Sequence, residues 1–149
     1  MAKRQDDPRE LDWNVVVESA GEKFRGTRGD DHLVGTDFAD TFNMRQGGND
    51  RVNAGQGRDT IYVGANLAAD DRINGGAAYD TLVLKGDYSS GVTLQSDTIS
   101  RIEEMDLRGG FDYSITLAPD IRHDKINLVV DATEAQSLYI DGSAMNFSL

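Results

Sequence analysis

Six aspartates in this 149-residue chain recur at nearly constant intervals: Asp31, Asp40, Asp50, Asp59, Asp71 and Asp80, separated by 9, 10, 9, 12 and 9 residues. Two positions after each stands a large apolar residue, namely Leu33, Phe42, Val52, Ile61, Ile73 and Leu82. Cut into blocks of nine between Gly26 and Val83, the sequence reads GTRGDDHLV, GTDFADTFN, RQGGNDRVN, AGQGRDTIY, NLAADDRIN and GGAAYDTLV, with Asp sixth and the apolar residue eighth throughout. Carboxylates set in glycine-bearing turns are hard oxygen donors, and the main-chain carbonyls of such turns are donors of the same kind. A calcium ion takes about six to eight of them, and one turn offers about half that number. Two turns must therefore cooperate.

The same spacing says how the turns are brought together. The residues that interrupt the blocks, Met44 and then Val63 to Ala65, both precede an odd-numbered block. That placement predicts a coil made of two blocks (turn, short strand, turn, short strand), with coils of 19 and 21 residues. Blocks one, three and five then stack on one side, and blocks two, four and six on the other. With the eighth place facing inward, its neighbours face solvent. The seventh places read His32, Thr41, Arg51, Thr60, Arg72 and Thr81, so one outer face carries a basic column and the other a threonine column.

The block resembles the glycine- and aspartate-rich nonapeptide GGxGxDxUx of the RTX (repeats-in-toxin) family, the hemolysin-type calcium-binding repeat of parallel β-helices. The resemblance implies an all-β fold, a right-handed parallel β-roll or β-helix solenoid with calcium ions between stacked turns. It places ions between Asp31 and Asp50, Asp50 and Asp71, Asp40 and Asp59, and Asp59 and Asp80, about three to four in all. The aspartates would bind by side chain, and Gly26, Arg28, Gly29, Gly48, Gly55, Gly57, Gly75 and Gly76 mainly by main-chain carbonyl. Leu67, Ala69 and Phe38 stand where glycine is usual, so the pocket touching Asp71 and the turn at Asp40 are expected to be weakest or vacant. Four ions would take the formal charge from −11 to −3. Unbound, the stacked carboxylates repel one another, which makes folding coupled to calcium the central expectation.

Around the repeats, residues 1–24 are expected to form an N-terminal arm and cap, residues 25–83 the β-roll, and residues 84–149 a continuing parallel β-helix with a C-terminal cap, all one continuous domain. Asp7-Pro8-Arg9-Glu10 has the shape of a helix start, with Asp as N-cap and Pro in the first turn, whereas Trp13 to Val17 is a β-branched run suited to a strand or irregular cap. Phe24 lies nine residues before Leu33, so AGEKFRG looks like a degenerate half-coil covering the first repeat. Beyond Leu84, apolar alternation recurs in IEEMDL, YSITL, KINLVV, SLYI and NFSL. Leu107, Leu117, Leu128 and Leu138 are 10, 11 and 10 residues apart, which predicts two strands in about 21 residues and a wider apolar interior. TISRIEEMDLRGGFDYSITL is similar to segments that follow calcium repeats in large RTX exoproteins. Gly109-Gly110 and Asp141-Gly142 keep glycine-bearing turns without the full motif and read as ordinary tight turns, with an extra ion there as the alternative.

Composition narrows the function. A formal charge of −11 argues against nucleic acid as partner, because phosphate binding needs a basic surface. With no cysteine there is no disulfide framework or thiolate metal site. No apolar run is long enough to span a membrane, and no apolar h-region follows the N-terminal basic residues, so an N-terminal secretory signal is not expected. HExxH, GxSxG and P-loop motifs are all missing. The two histidines, His32 and His123, fall in different coils, and Glu103, Glu104 and Asp106 carry nothing that singles out an acid and a base.

The expectation is a non-catalytic calcium-binding module, a structural or accessory part of a secreted bacterial protein at the cell surface or outside the cell. By resemblance it would leave by type I secretion, although the sequence has no obvious C-terminal secretion segment. Two alternatives stay open. One is a self-associating assembly subunit of a surface layer, adhesin or virion; the other is a polysaccharide-binding module using His32, Arg51 and Arg72 as its ligand face.

Overall fold

The computed structural model describes residues 20–121, 126–131 and 137–142. Short strands alternating apolar and polar residues, each ended by a turn, cannot bury their apolar side alone and must stack coil on coil. That is the architecture observed: a β-solenoid of about four turns in which every paired strand runs parallel to its neighbours, with no helix among the described residues.

Among the described residues three sheets build it. The first contains β1 (Lys23–Arg25), β3 (Thr41–Met44), β5 (Thr60–Val63), β7 (Thr81–Leu84), β10 (Glu104–Leu107) and β12 (Asn127–Val130). The second contains β2 (His32–Val34), β4 (Arg51–Asn53), β6 (Arg72–Asn74) and β9 (Ile99–Ser100). The third contains β8 (Tyr88–Leu94), β11 (Tyr113–Leu117) and β13 (Leu138–Asp141). Even-numbered blocks thus stack in the first sheet and odd-numbered blocks in the second, as the insertions foretold. His32 pairs with Arg51 and Arg51 with Arg72, while Thr41 pairs with Thr60 and Thr60 with Thr81, so both outer columns are in register. The half-coil at β1 is also present, its Phe24 ring stacked on Phe42 at 4.7 Å.

Within the repeats the coil is narrow: the first sheet turns two buried rows inward, Phe42, Ile61 and Leu82 beside Met44, Val63 and Leu84, and the second sheet faces them with Val52 and Ile73. After Leu84 it widens. Successive partners in the first sheet are 18, 19, 21, 23 and 23 residues apart, because each late coil inserts a strand of the third sheet. The expected pairing of leucines at about 21-residue intervals is therefore corrected. Leu107 pairs with Leu84 and Val130, Leu128 pairs with Met105, Leu117 pairs with Leu94, and Leu138 pairs with Tyr113. The coil from Thr81 to Glu103 holds three strands, β7, β8 and β9, and the step of 23 residues repeats from β10 to β12.

Tyrosine marks the change of shape. Tyr88 and Tyr113 are buried and stacked at 5.9 Å. The Tyr88 hydroxyl donates to the Gly64 carbonyl and accepts the Leu67 N–H at 3.1 Å, and the Tyr113 hydroxyl lies 3.0 and 2.8 Å from the carbonyls of Leu84 and Arg108. Leu67, in the glycine-poor fifth block, is itself buried in the core. The segment Asp7 to Glu10, the runs Trp13 to Val17 and NFSL, and His123 lie outside the described residues.

Candidate metal centre

Register places the aspartates in two columns. Asp31, Asp50 and Asp71 follow one another up one edge of the solenoid, each just before a strand of the second sheet; Asp40, Asp59 and Asp80 do the same before the first sheet. Asp40, Asp50, Asp59, Asp71 and Asp80 are all at most 5% exposed. In both columns one carboxylate oxygen accepts the backbone N–H of the aspartate one coil earlier. Asp31 N–H donates to Asp50 Oδ1 at 3.0 Å, Asp50 N–H to Asp71 Oδ1 at 2.8 Å, Asp40 N–H to Asp59 Oδ1 at 2.7 Å, and Asp59 N–H to Asp80 Oδ1 at 2.8 Å. The ladder fixes each carboxylate and leaves its second oxygen, Oδ2, to the turn.

What meets that second oxygen depends on the second residue of the block. Threonine there folds back: the Thr27 N–H donates to Asp31 Oδ2 and the Thr36 N–H to Asp40 Oδ2, both at 2.6 Å. In the fifth block Asp71 Oδ2 accepts the Ala68 N–H at 2.8 Å. Where the second residue is glycine, at Gly55 and Gly76, the turn stacks instead on the turn below: Gln56 N–H donates to the Thr36 carbonyl and Ala77 N–H to the Gly55 carbonyl, both at 3.0 Å. A Cβ on Gly76, whose φ is +101°, would lie 2.0 Å from the Gly55 carbonyl oxygen, so no other residue fits without moving the turn. The consequence falls on the acids. Asp59 Oδ2 and Asp80 Oδ2 are buried with no hydrogen-bond partner.

A buried carboxylate oxygen without a donor is costly. Burial pushes the Asp59 carboxyl up to about 6, against the hydrogen bond from Asp40 N–H and reinforced by the charges of Asp80 and Asp40. It raises Asp80 and Asp50 too, with Glu103 adding to the effect at Asp80 and Asp71, Asp31 and Asp30 at Asp50. A divalent cation answers both problems, because it supplies the missing partner and the missing positive charge. Among the described residues no three carboxylate or histidine side chains converge, so such an ion would complete its shell with main-chain carbonyls and water. The second oxygens of Asp59 and Asp80, with the stacked turns of Gly55, Gly57, Gly75 and Gly76 around them, suit that requirement.

Of the residues singled out from sequence, Asp40, Asp59, Asp80, Gly55, Gly57, Gly75 and Gly76 come together on one edge, and Asp31, Asp50, Asp71, Gly26, Arg28, Gly29 and Gly48 on the other. Positive φ occurs at the fourth place of blocks three, four and six, in Gly48, Gly57 and Ala78, but not at Gly29, Phe38 or Ala69. Sequence reasoning missed Gln46, whose Oε1 is buried without a partner in the third block, and Glu103, whose Oε2 accepts the Asp80 N–H at 2.8 Å. It also missed that Thr27 and Thr36 would turn on their own aspartates, although a Thr four residues before Asp is a readable signal for that. Glu104 and Asp106 go to separate partners, the Tyr79 hydroxyl at 3.0 Å and Arg108 at 2.7 Å.

His32, Arg51 and Arg72 line an outer groove of about 310 Å³ together with Asn53, Asn74, Asp97 and Ser100. Arg72 is anchored there: its guanidinium donates to the carbonyls of Ala69 and Asp71 at 2.7 Å and pairs with Asp97 at 3.1 Å.

Comparison with known families agrees with this geometry. The family model described as RTX calcium-binding nonapeptide repeat (4 copies) matches residues 25–43, 46–66 and 67–83. No curated protein and no solved structure matches the chain. No helix among the described residues is long and apolar enough to cross a membrane.

Proposed function

We propose that this chain, whose residues 25–83 are RTX calcium-binding nonapeptide repeats, acts as a non-catalytic β-roll that becomes stable on binding calcium and serves as a structural or accessory part of a secreted bacterial protein. The observation that carries the reading is the pair of buried, partnerless oxygens at Asp59 and Asp80, held on a ladder that cannot relax without breaking backbone hydrogen bonds. Calcium would be held by the aspartates of adjacent coils and by turn carbonyls. Binding to the folded state alone stabilises by mass action, so sites filled outside the cell and empty inside it would make folding follow export. The secreted role is supported by RTX repeats being typical of secreted proteins. Circular dichroism of the chelator-treated chain during a calcium titration tests it, with magnesium as control. The expected result is a gain of β-structure specific for calcium; a spectrum indifferent to calcium and chelator would contradict the proposal.

The groove along His32 and Arg51 favours a second reading, recognition of an anionic polysaccharide on the outer face of the second sheet. A glycan array with wild type and Arg51→Ser, both in calcium, checks it: loss of a bound acidic glycan in the variant supports the reading, and no glycan bound by either contradicts it.

A further inference from the structure

We infer that the chain holds one calcium site beyond those its nonapeptides encode, at the junction where Asp80 faces Glu103. The inference rests on the calcium reading above and extends it past the last repeat.

The register carries the first part of the argument. Thr81 pairs with Glu104, so Glu103 occupies in its coil the place that Asp40, Asp59 and Asp80 occupy in theirs. It performs the same backbone duty, accepting Asp80 N–H at 2.8 Å where Asp80 accepts Asp59 N–H at 2.8 Å. The carboxylate column therefore continues by one member into a coil that has lost the nonapeptide turn, and residue 103 lies beyond the matched repeats.

The second part is an oxygen in need. Asp80 is fully buried, and its Oδ2, which has no partner, has lone pairs enough to bridge the repeat ion it would share with Asp59 and a second ion above it. Its surroundings repeat those of a lower turn. A Cβ on Gly35 would lie 2.0 Å from the Ala54 carbonyl oxygen and 2.5 Å from Asp40 Oδ2; a Cβ on Gly75 would lie 2.0 Å from the Arg101 carbonyl oxygen and 2.7 Å from Asp80 Oδ2. In both places an aspartate oxygen and a carbonyl from the next coil crowd one bare glycine. The lower aspartate oxygen accepts the Thr36 N–H, whereas the Gly76 N–H at the corresponding position makes no such bond to Asp80 Oδ2. Asp80 Oδ2, the Arg101 carbonyl and a carboxylate with a second oxygen to offer are all hard donors, the chemistry that selects calcium over softer metals.

Glu103 could accept the Asp80 N–H without binding any ion, and Glu103→Gln separates the two roles because the amide keeps an acceptor oxygen and loses the charge. The test is calorimetric titration of calcium into the full chelator-stripped chain, comparing wild type, E103Q and, as control, E104Q on the outer face. The expected result is that E103Q binds one ion fewer than wild type, while E104Q binds the wild-type number. Equal number and affinity in E103Q and wild type would overturn the inference and leave the repeat sites standing. A wild type that binds no calcium would overturn both readings together. If E103Q fails to form the wild-type β-spectrum in calcium, E103D decides: retained charge on a shorter arm should weaken one site alone, and an unchanged isotherm overturns the inference.

Discussion

The two halves of this solenoid solve one problem by different means. Up to Leu84 the coil is narrow, its interior is filled by one or two inward apolar side chains from most strands, and its turns are held against five nearly inaccessible aspartates. From Tyr88 on a third sheet joins the solenoid, its corners are tied by phenol hydroxyls on backbone carbonyls, and Leu94, Ile99, Ile102, Met105, Leu107 and Ile115 fill the core. Neutral hydrogen bonds and apolar burial need no third component, whereas a stack of carboxylates does. The first half should therefore depend on calcium and the second far less.

The largest effect expected is at Asp59, which faces both neighbours in its column. Asp59→Asn should destabilise the calcium-loaded chain by about 2.7 kcal/mol for each site lost when the ion is a hundredfold above its Kd. In chelator the sign should reverse, because the amide removes a buried charge whose second oxygen has no partner. Thermal unfolding of both proteins in both conditions checks this, and a shift of the same sign in each would break the contrast between halves.

Tyr88→Phe should cost about 2 kcal/mol by leaving the Gly64 carbonyl and the Leu67 N–H unpaired. Its cost should be similar with and without calcium if the tyrosine corner stands apart from the ion sites. Denaturant titration measures it.

Acid should partly replace calcium. The Asp59 pKa is raised from 3.8 to about 6 in the folded chain, so the protonated form favours folding. That stability is fully present below the unfolded value and is lost as pH rises through about 6. In chelator the chain should be more resistant to urea at about pH 5 than at about pH 7.5, and in calcium the order should invert because protons compete for the same oxygens. The smallest change expected is a gain. Ala78 sits at φ +96° at the fourth place of its block, where Gly48 and Gly57 stand in blocks three and four, and Ala78→Gly should stabilise by about 0.5–1 kcal/mol.

Much of the first half was legible because one period governs it. A fixed interval between Asp and the apolar residue two places on determines which face each side chain takes, and Met44 with Val63 to Ala65 discloses which turns share an edge. No such period runs through the second half. β8 begins Tyr-Ser-Ser-Gly, which reads as a turn, and Gly91, with φ +88°, lies where the strand carries two more residues than its partner β11. With that strand unseen, the late coils look two-sided and the leucines pair wrongly. Glu103 stayed hidden for the same reason, since its place in the acid column appears only once the 23-residue step from Thr81 to Glu104 is known. The Thr27 and Thr36 contacts are local and were within reach of the sequence.

Hydrogen exchange of the full chain, with and without chelator, tests the calcium dependence of the first half most directly. Removing calcium should strip protection from the amides of Thr41–Met44 and Thr60–Val63 while those of Tyr113–Leu117 keep most of theirs. Protection of the repeat strands that is as strong in chelator as in calcium would contradict the claim that these turns need an ion.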